Sequence, residues 1–350
     1  MLSTVLQNLE KYWIRYERFF TLPAFAIGFI FDNLTLRRVD LLAENLILLF
    51  YVAVAGAMIA VQNAEPRSKF FPAGIDKISA FVMQIAFGAL FSAFMVFYVR
   101  SASFSASWMF LLFLALFFVG NEFFRESYQR FAFQMSIFFI TVFSYAIFAV
   151  PLMVGRIGVG AFLLSSTISI VVIRLFTRGL GKLLPKSVWI IFIIFIIFYF
   201  TNIIPPIPLA LKESGIYHRI ERVNGSYRAQ FEKPPWYRFF DDTSAVFHLT
   251  PGSVVYAYSA VFAPAKLHTD IAHRWSYFDE KKDEWMAETT IQFPIAGGRE
   301  EGYRGYSVKE HVKPGTWRVE VQTPRGQILG RMTFQVVESP LPPALTEAVR

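Results

Sequence analysis

Long apolar stretches separated by short polar connections fill the first 204 residues of the chain. The stretches lie at 19–36, 41–62, 78–99, 103–120, 133–153, 157–176 and 187–204. Each has about the 17–25 residues that a helix needs to cross the hydrocarbon core of a bilayer. The pattern therefore predicts a membrane all-α bundle of seven transmembrane helices over 19–204.

Shorter segments flank this predicted bundle. Apolar residues recur at helical spacing in 1–18, which predicts an amphipathic helix lying at the membrane interface. After the last apolar stretch, Pro205 and Pro206 supply no backbone N–H and so cannot continue a helix. The polar segment 205–244 predicts a Pro-rich exit, a short surface helix and a linker.

From Ala245 the apolar positions alternate with period two. The predicted strands lie at 253–262, 271–278, 284–293, 303–312, 316–323 and 328–337. Trp317, Val319 and Val321 share one face of their strand, and Gly326 suits the tight turn of a hairpin. The pattern predicts a small all-β, immunoglobulin-like antiparallel sandwich over 245–338, followed by a flexible tail at 339–350.

Composition and charge support this division. The chain is 55% hydrophobic and contains 40 Phe, as expected for a membrane protein. If seven stretches cross, one set of connections contains twelve Lys and Arg and the other only four (Arg37, Arg38, Arg100 and Arg156). Because Lys and Arg are retained in the cytoplasm, the N-terminus is predicted to be cytoplasmic and the C-terminal domain to lie on the far side. Topology also explains the net charge of +8, so we predict a lipid bilayer rather than nucleic acid as partner.

The sequence offers little for catalysis or cofactors. It contains no Cys, and we find no nucleophile elbow, HExxH, Walker loop or dinucleotide motif. His268 and Asp270 share one face of a predicted strand, but His273 points to the other face, so a metal centre there is not favoured. We therefore predict no metal and no cofactor.

A cluster of polar residues separates the first two apolar stretches. It consists of Asp32, Asn33, Arg37, Arg38, Asp40 and Glu44. These residues can end one helix and cap the next near the outer interface, which is the favoured interpretation. Alternatively, an ion pair from Asp32 to Arg37 or Arg38 lines a polar pocket in the bundle.

The predicted β-domain is rich in aromatic residues, which can stack on sugar rings or fill the core. Trp317 fits the inward face of its strand, so core membership is the favoured interpretation for most of them. The candidate ligand-binding residues in the domain are His273, Arg274, Trp275, Tyr277, Trp285, Tyr303 and Tyr306.

The C-terminal hundred residues contain the motifs "HRW" at His273–Trp275, "YRGYS" at Tyr303–Ser307, "GTWRVEV" at Gly315–Val321 and "GQILG" at Gly326–Gly330. These motifs resemble those of a bacterial family, domain of unknown function 2914. The phrase "FDNLTLRRVD" at Phe31–Asp40 is similar to one in membrane halves that accompany this domain. The resemblance implies an extracytoplasmic β-domain on a multi-pass protein of the bacterial inner (plasma) membrane, with no activity to transfer.

Two functions remain open from the sequence. The favoured one is a non-catalytic protein whose periplasmic β-sandwich binds an envelope partner, either a protein or a glycan. The alternative is a membrane-embedded enzyme or a lipid or solute transporter with its polar pocket near Asp32, Arg37 and Arg38.

Overall fold

A computed structural model describes residues 29–30, 32–36, 38–64, 75–121, 123–124, 126–223, 225–234 and 244–350. The predicted interfacial helix, most of the first apolar stretch and Arg37 lie outside these residues. The described residues divide into two compact units. The first falls within 1–97, 111–146 and 166–194, and the second within 98–110, 147–165 and 195–350.

Six α-helices of the described chain have apolar sequences. They are α1 (Leu42–Asn63), α2 (Ile75–Ser101), α3 (Phe104–Gly120), α4 (Phe131–Val154), α5 (Val159–Gly179) and α6 (Lys186–Phe200). By length and composition, four helical segments are able to cross a membrane, namely Leu42–Asn63, Ile78–Ser101, Phe131–Val154 and Val159–Gly179. The prediction of seven spans is therefore corrected to four candidates in the described chain.

The other two helices are shorter than these four candidates. α3 has 17 residues and α6 has 15, so they extend about 26 and 23 Å against a hydrocarbon core of about 30 Å. α6 begins after Pro185 and ends in a turn at Asn202, whose φ is +59°. In that turn Ile203 N–H donates to Phe198 O at 2.8 Å, which closes the helix before the predicted end at 204.

Eleven strands follow in the described chain. They are β1 (Ala210–Tyr217), β2 (Arg219–Val223), β3 (Ser226–Glu232), β4 (Val246–Leu249), β5 (Val255–Phe262), β6 (His268–Asp279), β7 (Glu284–Ala296), β8 (Tyr303–Lys309), β9 (Gly315–Gln322), β10 (Ile328–Glu338) and β11 (Leu345–Val349). A five-stranded sheet has the order β4-β10-β9-β6-β7, and two three-stranded sheets have the orders β1-β5-β8 and β11-β3-β2. All six strands predicted from alternation are present.

The five-stranded sheet packs on β1-β5-β8 through two apolar clusters. One contains Trp275, Trp317 and Phe334, and the other contains Val261 and Ile271. Strand β5 is buried on both faces, because its alternate residues face a third apolar cluster shared with β2 and β3. The β-rich region is therefore built from three layers.

Three features of this region differ from the predicted sandwich. Residues 210–232 form strands β1 to β3 rather than a short helix and linker, because β1 pairs with β5 and β2 pairs with β3. The predicted flexible tail contains β11, which pairs with β3. Strand β4 runs parallel to β10, so the five-stranded sheet is mixed rather than purely antiparallel.

The hairpin between β9 and β10 contacts the end of α6 within the second unit. The Arg325 guanidinium lies 4.3 Å from the Tyr199 ring centre, and its Nη2 donates to Tyr199 O at 3.2 Å. Asn202 Nδ2 donates to Arg325 O at 3.3 Å, and Gln327 Nε2 donates to Ile204 O at 3.2 Å. The cation at the helix C-terminus is favourable because the last carbonyls carry partial negative charge.

Candidate functional site

The clearest group of charged side chains lies on the outer face of the five-stranded sheet. Register places Arg274 of β6 opposite Glu320 of β9, and Glu320 opposite Arg331 of β10. Arg318 lies two residues before Glu320 on the same strand, and side chains two residues apart share a face. Together with Trp285 of β7, these four residues form what we call the arginine face.

Glu320 is the centre of the arginine face and is only 3% exposed. Its Oε1 accepts from Arg331 Nε at 3.0 Å and from Arg331 Nη2 at 2.7 Å. Arg318 Nε lies 3.5 Å from the same oxygen. Because a buried carboxylate requires compensation, Arg331 of the neighbouring strand and Arg318 of the same strand stabilise its charge.

Aromatic rings extend the arginine face toward β7. The Arg318 guanidinium lies 4.2 Å from the Trp285 ring centre, which is a cation–π contact. The Trp285 ring also packs against Phe278, with 5.2 Å between the ring centres. The charged and aromatic parts of the face are thus continuous.

Positive charge exceeds negative charge in this group, because it contains three guanidinium groups and one carboxylate. Burial lowers the pKa of Arg318, the Glu320 carboxylate raises it, and the charges of Arg331 and Arg274 lower it. Arginine side chains nevertheless stay protonated in proteins, so the mutual repulsion is not relieved by proton loss. An anion bound at the face would relieve it.

Of the predicted ligand-binding residues, His273 and Trp275 lie in the core instead. They occupy the opposite face of β6 from Arg274, and both are 0% exposed. His273 Nε2 lies 2.7 Å from Ser259 Oγ, and Trp275 Nε1 donates to Ser307 Oγ at 3.0 Å. Burial lowers the pKa of His273 to about 4. These two side chains stabilise the fold and do not face a ligand from outside.

The three tyrosines occupy separate places. Tyr277 packs against Trp317 with ring centres 5.4 Å apart. Tyr303 packs on the apolar cluster around Val261. Tyr306 is 39% exposed, but it lies on β8 of another sheet. Only Arg274 and Trp285, among the seven candidates, therefore belong to the arginine face.

His268, Asp270 and His273 of β6 do not come together in an arrangement that could hold a metal ion. His268 and Asp270 are exposed, whereas His273 is buried. Among the residues that the structure describes, no group of three or more His, Cys, Asp or Glu side chains is arranged to hold a metal ion.

The polar residues before α1 form a turn in which Arg38 pairs with Asp40, whereas the alternative from the sequence paired Asp32 with Arg37 or Arg38. Arg37 lies outside the described residues. Arg38 Nε and Nη2 donate to the two carboxylate oxygens of Asp40 at 3.0 and 2.7 Å. The Arg38 backbone N–H donates to Glu44 Oε2 at 3.1 Å, so Glu44 holds the turn that enters α1. Asp32 accepts from Ser92 Oγ at 2.5 Å, and Asn33 is exposed.

A second polar group in the first unit joins side chains far apart in sequence. Asn63 Nδ2 donates to Gln134 Oε1 at 2.7 Å, and Lys182 Nζ donates to Asn63 Oδ1 at 2.6 Å. Gln134 Nε2 also donates to Tyr128 O at 2.6 Å. These bonds satisfy amides among apolar helices, which is the role in helix packing that such polar side chains commonly have.

Sequence reasoning missed Arg318, Glu320 and Arg331 as members of one group. The sequence did indicate that Arg318 and Glu320 share the outer face of their strand. They alternate with the apolar residues Trp317, Val319 and Val321. Their meeting with Arg274, however, depends on the register of β9 against both β6 and β10. Alternation alone does not provide that register.

Strands β6 to β10 carry every residue of the arginine face, and comparison with known proteins matches this same region. Residues 268–336 match the family "Protein of unknown function (DUF2914)". The match confirms the resemblance predicted from the sequence. The DUF2914 region begins at the first residue of β6 and ends within β10, so it includes all of Arg274, Trp285, Arg318, Glu320 and Arg331.

Other comparisons add no functional information. No curated protein matches the chain. A solved structure, the Pseudomonas fluorescens alkylpurine DNA glycosylase AlkC bound to DNA containing an abasic site analog, aligns at 10% identity. The alignment covers 85% of this chain and 99% of that one with a TM-score of 0.20, which supports no argument about fold or function.

Proposed function

We propose that the chain is a non-catalytic, multi-pass protein of the bacterial inner membrane whose β-domain binds an envelope partner in the periplasm. The arginine face is the observation that carries this proposal. It presents two more positive than negative charges, beside an aromatic ring, on a sheet whose other face is fully occupied by the core.

The distribution of basic residues supports the proposed orientation. The proposal takes all seven apolar stretches as crossings, that is, the four candidate spans together with the first stretch, α3 and α6. On that basis, the connections assigned to the cytoplasm contain twelve Lys and Arg, and those on the other side contain four. Lys and Arg near apolar segments resist translocation. The proposal therefore puts the arginine face in contact with envelope components rather than with nucleic acid.

The experiment uses the full-length chain in nanodiscs of zwitterionic lipid, incubated with separate glycan and protein fractions of bacterial envelopes. The test variant is Arg274→Gln/Arg331→Gln. The control variant is Arg219→Gln/Arg228→Gln, which removes two exposed arginines from β2 and β3. We expect one fraction to be retained by the wild type and the control and lost by the test variant. Equal retention by all three proteins, or none by the wild type, would refute the proposal.

A membrane-embedded enzyme or transporter is the second candidate. The observation that favours it is the hydrogen bond between Asp32 and Ser92 on α2, since polar pairs within apolar helices often mark transport or catalytic sites. Asp32→Asn distinguishes the two functions. The binding protein should retain its envelope fraction unchanged in this variant. A loss of that retention would favour the second candidate.

A further inference from the structure

The chemistry of the arginine face restricts the class of partner, and this restriction rests on the proposed function. Guanidinium groups form paired hydrogen bonds with carboxylate and phosphate groups. Arg331 already donates two hydrogen bonds to one carboxylate oxygen of Glu320. Arg274 is exposed on the adjacent strand, and its charge acts on Arg318. An anionic group from a partner would complete this arrangement.

The aromatic part of the face favours a sugar ring as the carrier of that anion. Trp285 is partly exposed, and its ring is held by the Arg318 guanidinium at 4.2 Å and by a tilted contact with Phe278 at 5.2 Å. Such a fixed ring stacks against the apolar C–H surface of a pyranose with little loss of side-chain freedom. A phosphate or carboxylate alone would gain nothing from this tryptophan.

Neutral polar side chains surround the charged centre on the same face. Thr290 lies opposite Arg274, and Thr333 lies opposite Arg318. Thr316 Oγ1 donates to Gln335 Oε1 at 2.7 Å across β9 and β10. Hydroxyl and amide groups of this kind bind the hydroxyls of a sugar, whereas the acyl chains of a lipid would need an apolar surface.

We propose that the arginine face binds an anionic polysaccharide. The acidic group of one residue contacts Arg274 beside the Arg331–Glu320 pair, and the ring of a neighbouring pyranose stacks on Trp285. The residues of the arginine face lie on four neighbouring strands, β10, β9, β6 and β7, and a linear polymer that crosses the sheet can contact all four. No bond is made or broken in the ligand.

The test measures binding of defined polymers to the full-length chain in nanodiscs of zwitterionic lipid. Polygalacturonate supplies carboxylated pyranose, and phosphomannan supplies phosphorylated pyranose. Dextran is the neutral sugar control, polyglutamate is the acidic peptide control, and vesicles of anionic phospholipid test a membrane surface. We expect salt-sensitive binding of polygalacturonate, phosphomannan or both, with affinity at least about tenfold above that for the three controls.

Two variants and two matched controls locate the site. Arg274→Gln and Trp285→Ala should each weaken polysaccharide binding about tenfold, through loss of a charged hydrogen bond and of ring stacking respectively. Arg219→Gln and Tyr306→Ala remove an exposed arginine and an exposed tyrosine from the other sheets. These controls should change affinity less than about twofold. Thermal unfolding of each variant verifies that it is folded.

Each result decides something different. Equal binding of polyglutamate and polygalacturonate would overturn the ligand class, as would preference for the anionic vesicles. If the envelope fraction still depends on Arg274 and Arg331 but neither polysaccharide binds, the proposed function stands and the polysaccharide is wrong. If the wild type retains no envelope fraction and binds neither polysaccharide, both proposals fail.

Discussion

The two faces of strand β6 carry opposite kinds of residues within three consecutive positions. His273 and Trp275 point inward and are fully buried, whereas Arg274 between them is exposed. The ring nitrogens of these two residues all have hydrogen-bond partners in the hydroxyl groups of Ser259 and Ser307. Arg274 belongs to the arginine face, in which positive charges outnumber negative charges. The contrast teaches that the motif "HRW" combines two core residues with one residue of the arginine face, separated only by strand alternation.

The same contrast explains why the two tryptophans of neighbouring strands have different roles. Trp275 is surrounded by apolar side chains and contributes to the free energy of folding through buried area. Trp285 contacts Phe278 and a charged guanidinium at the surface. Substitutions on the two faces should therefore separate stability from binding.

The largest expected effect comes from removing the inward tryptophan. Trp275→Ala should lower the free energy of unfolding by about 3–5 kcal/mol, because it leaves a large cavity and removes a donor to Ser307. Trp285→Ala should cost less than about 1 kcal/mol, since its ring is already partly in water. Chemical denaturation of the full-length protein followed by circular dichroism compares the two. Similar losses of unfolding free energy in the two variants would contradict the distinction between the inward and outward faces.

The buried histidine should make the inward face sensitive to acid. Burial holds the pKa of His273 at about 4, below its ordinary value of 6.5. Above pH 6.5 the folded and unfolded states are both neutral at this residue, so no stability is lost. As the pH falls toward 4, the unfolded state gains a proton first, and stability should decrease by about 2 kcal/mol at pH 5.

Unfolding at pH 7.5 and pH 5 in wild type and His273→Gln measures this effect. The variant should have a smaller difference between the two pH values. His268→Gln, at an exposed position of the same strand, should keep the wild-type difference. An unchanged difference in His273→Gln would show that this histidine is not the acid-sensitive group.

An intermediate effect on stability is expected from substitution of Glu320, whose carboxylate is shared by Arg318 and Arg331. Glu320→Gln should lower stability by about 1–2 kcal/mol, because Arg331 loses its charged partner. The same change should tighten polysaccharide binding several-fold, since it removes a negative charge from the site. Glu288→Gln, at an exposed pair with Lys313, should alter neither quantity measurably. Weaker binding in Glu320→Gln would contradict this account of the charge balance.

The smallest effect is expected at the tip of the hairpin, which belongs to neither face. Arg325→Ala should lower the melting temperature slightly, corresponding to about 1 kcal/mol, through loss of contacts with Tyr199 and Asn202. Polysaccharide affinity should not change. Differential scanning calorimetry and the binding assay test these expectations, and a loss of affinity would mean that the tip forms part of the site.

Local patterns predicted much of the β-domain but not its edges. Strands β5 to β10 and the β9–β10 hairpin follow from alternation and turn residues, as Trp317 and Phe334 on the buried face illustrate. β1 to β3 were mistaken for a helix and linker because apolar residues up to Val223 also fit helical spacing. β1 is fixed by pairing with β5, and β11 by pairing with β3, over distances that no local pattern encodes.

The end of the last apolar helix, α6, was predicted four residues too late for a different reason. Hydropathy continues through Ile203 and Ile204, but the backbone leaves the helix at Asn202. The turn there is stabilised by Arg325, more than a hundred residues later. The arginine face was likewise hidden, because it depends on the mutual register of three strands. Sequence reasoning found Arg274 and Trp285 and missed the other three.

Labelling of a single cysteine tests the central claim most directly, because the natural chain contains no Cys. Thr290→Cys places a thiol on the exposed outer face beside Arg274. In spheroplasts, a membrane-impermeant maleimide should label it, and polygalacturonate, phosphomannan or both should protect it. Leu183→Cys, in a connection assigned to the cytoplasm, should be labelled only after lysis, and buried Ser259→Cys only after denaturation. Labelling of Thr290→Cys only after lysis would contradict the periplasmic orientation, and labelling without protection would contradict the binding face.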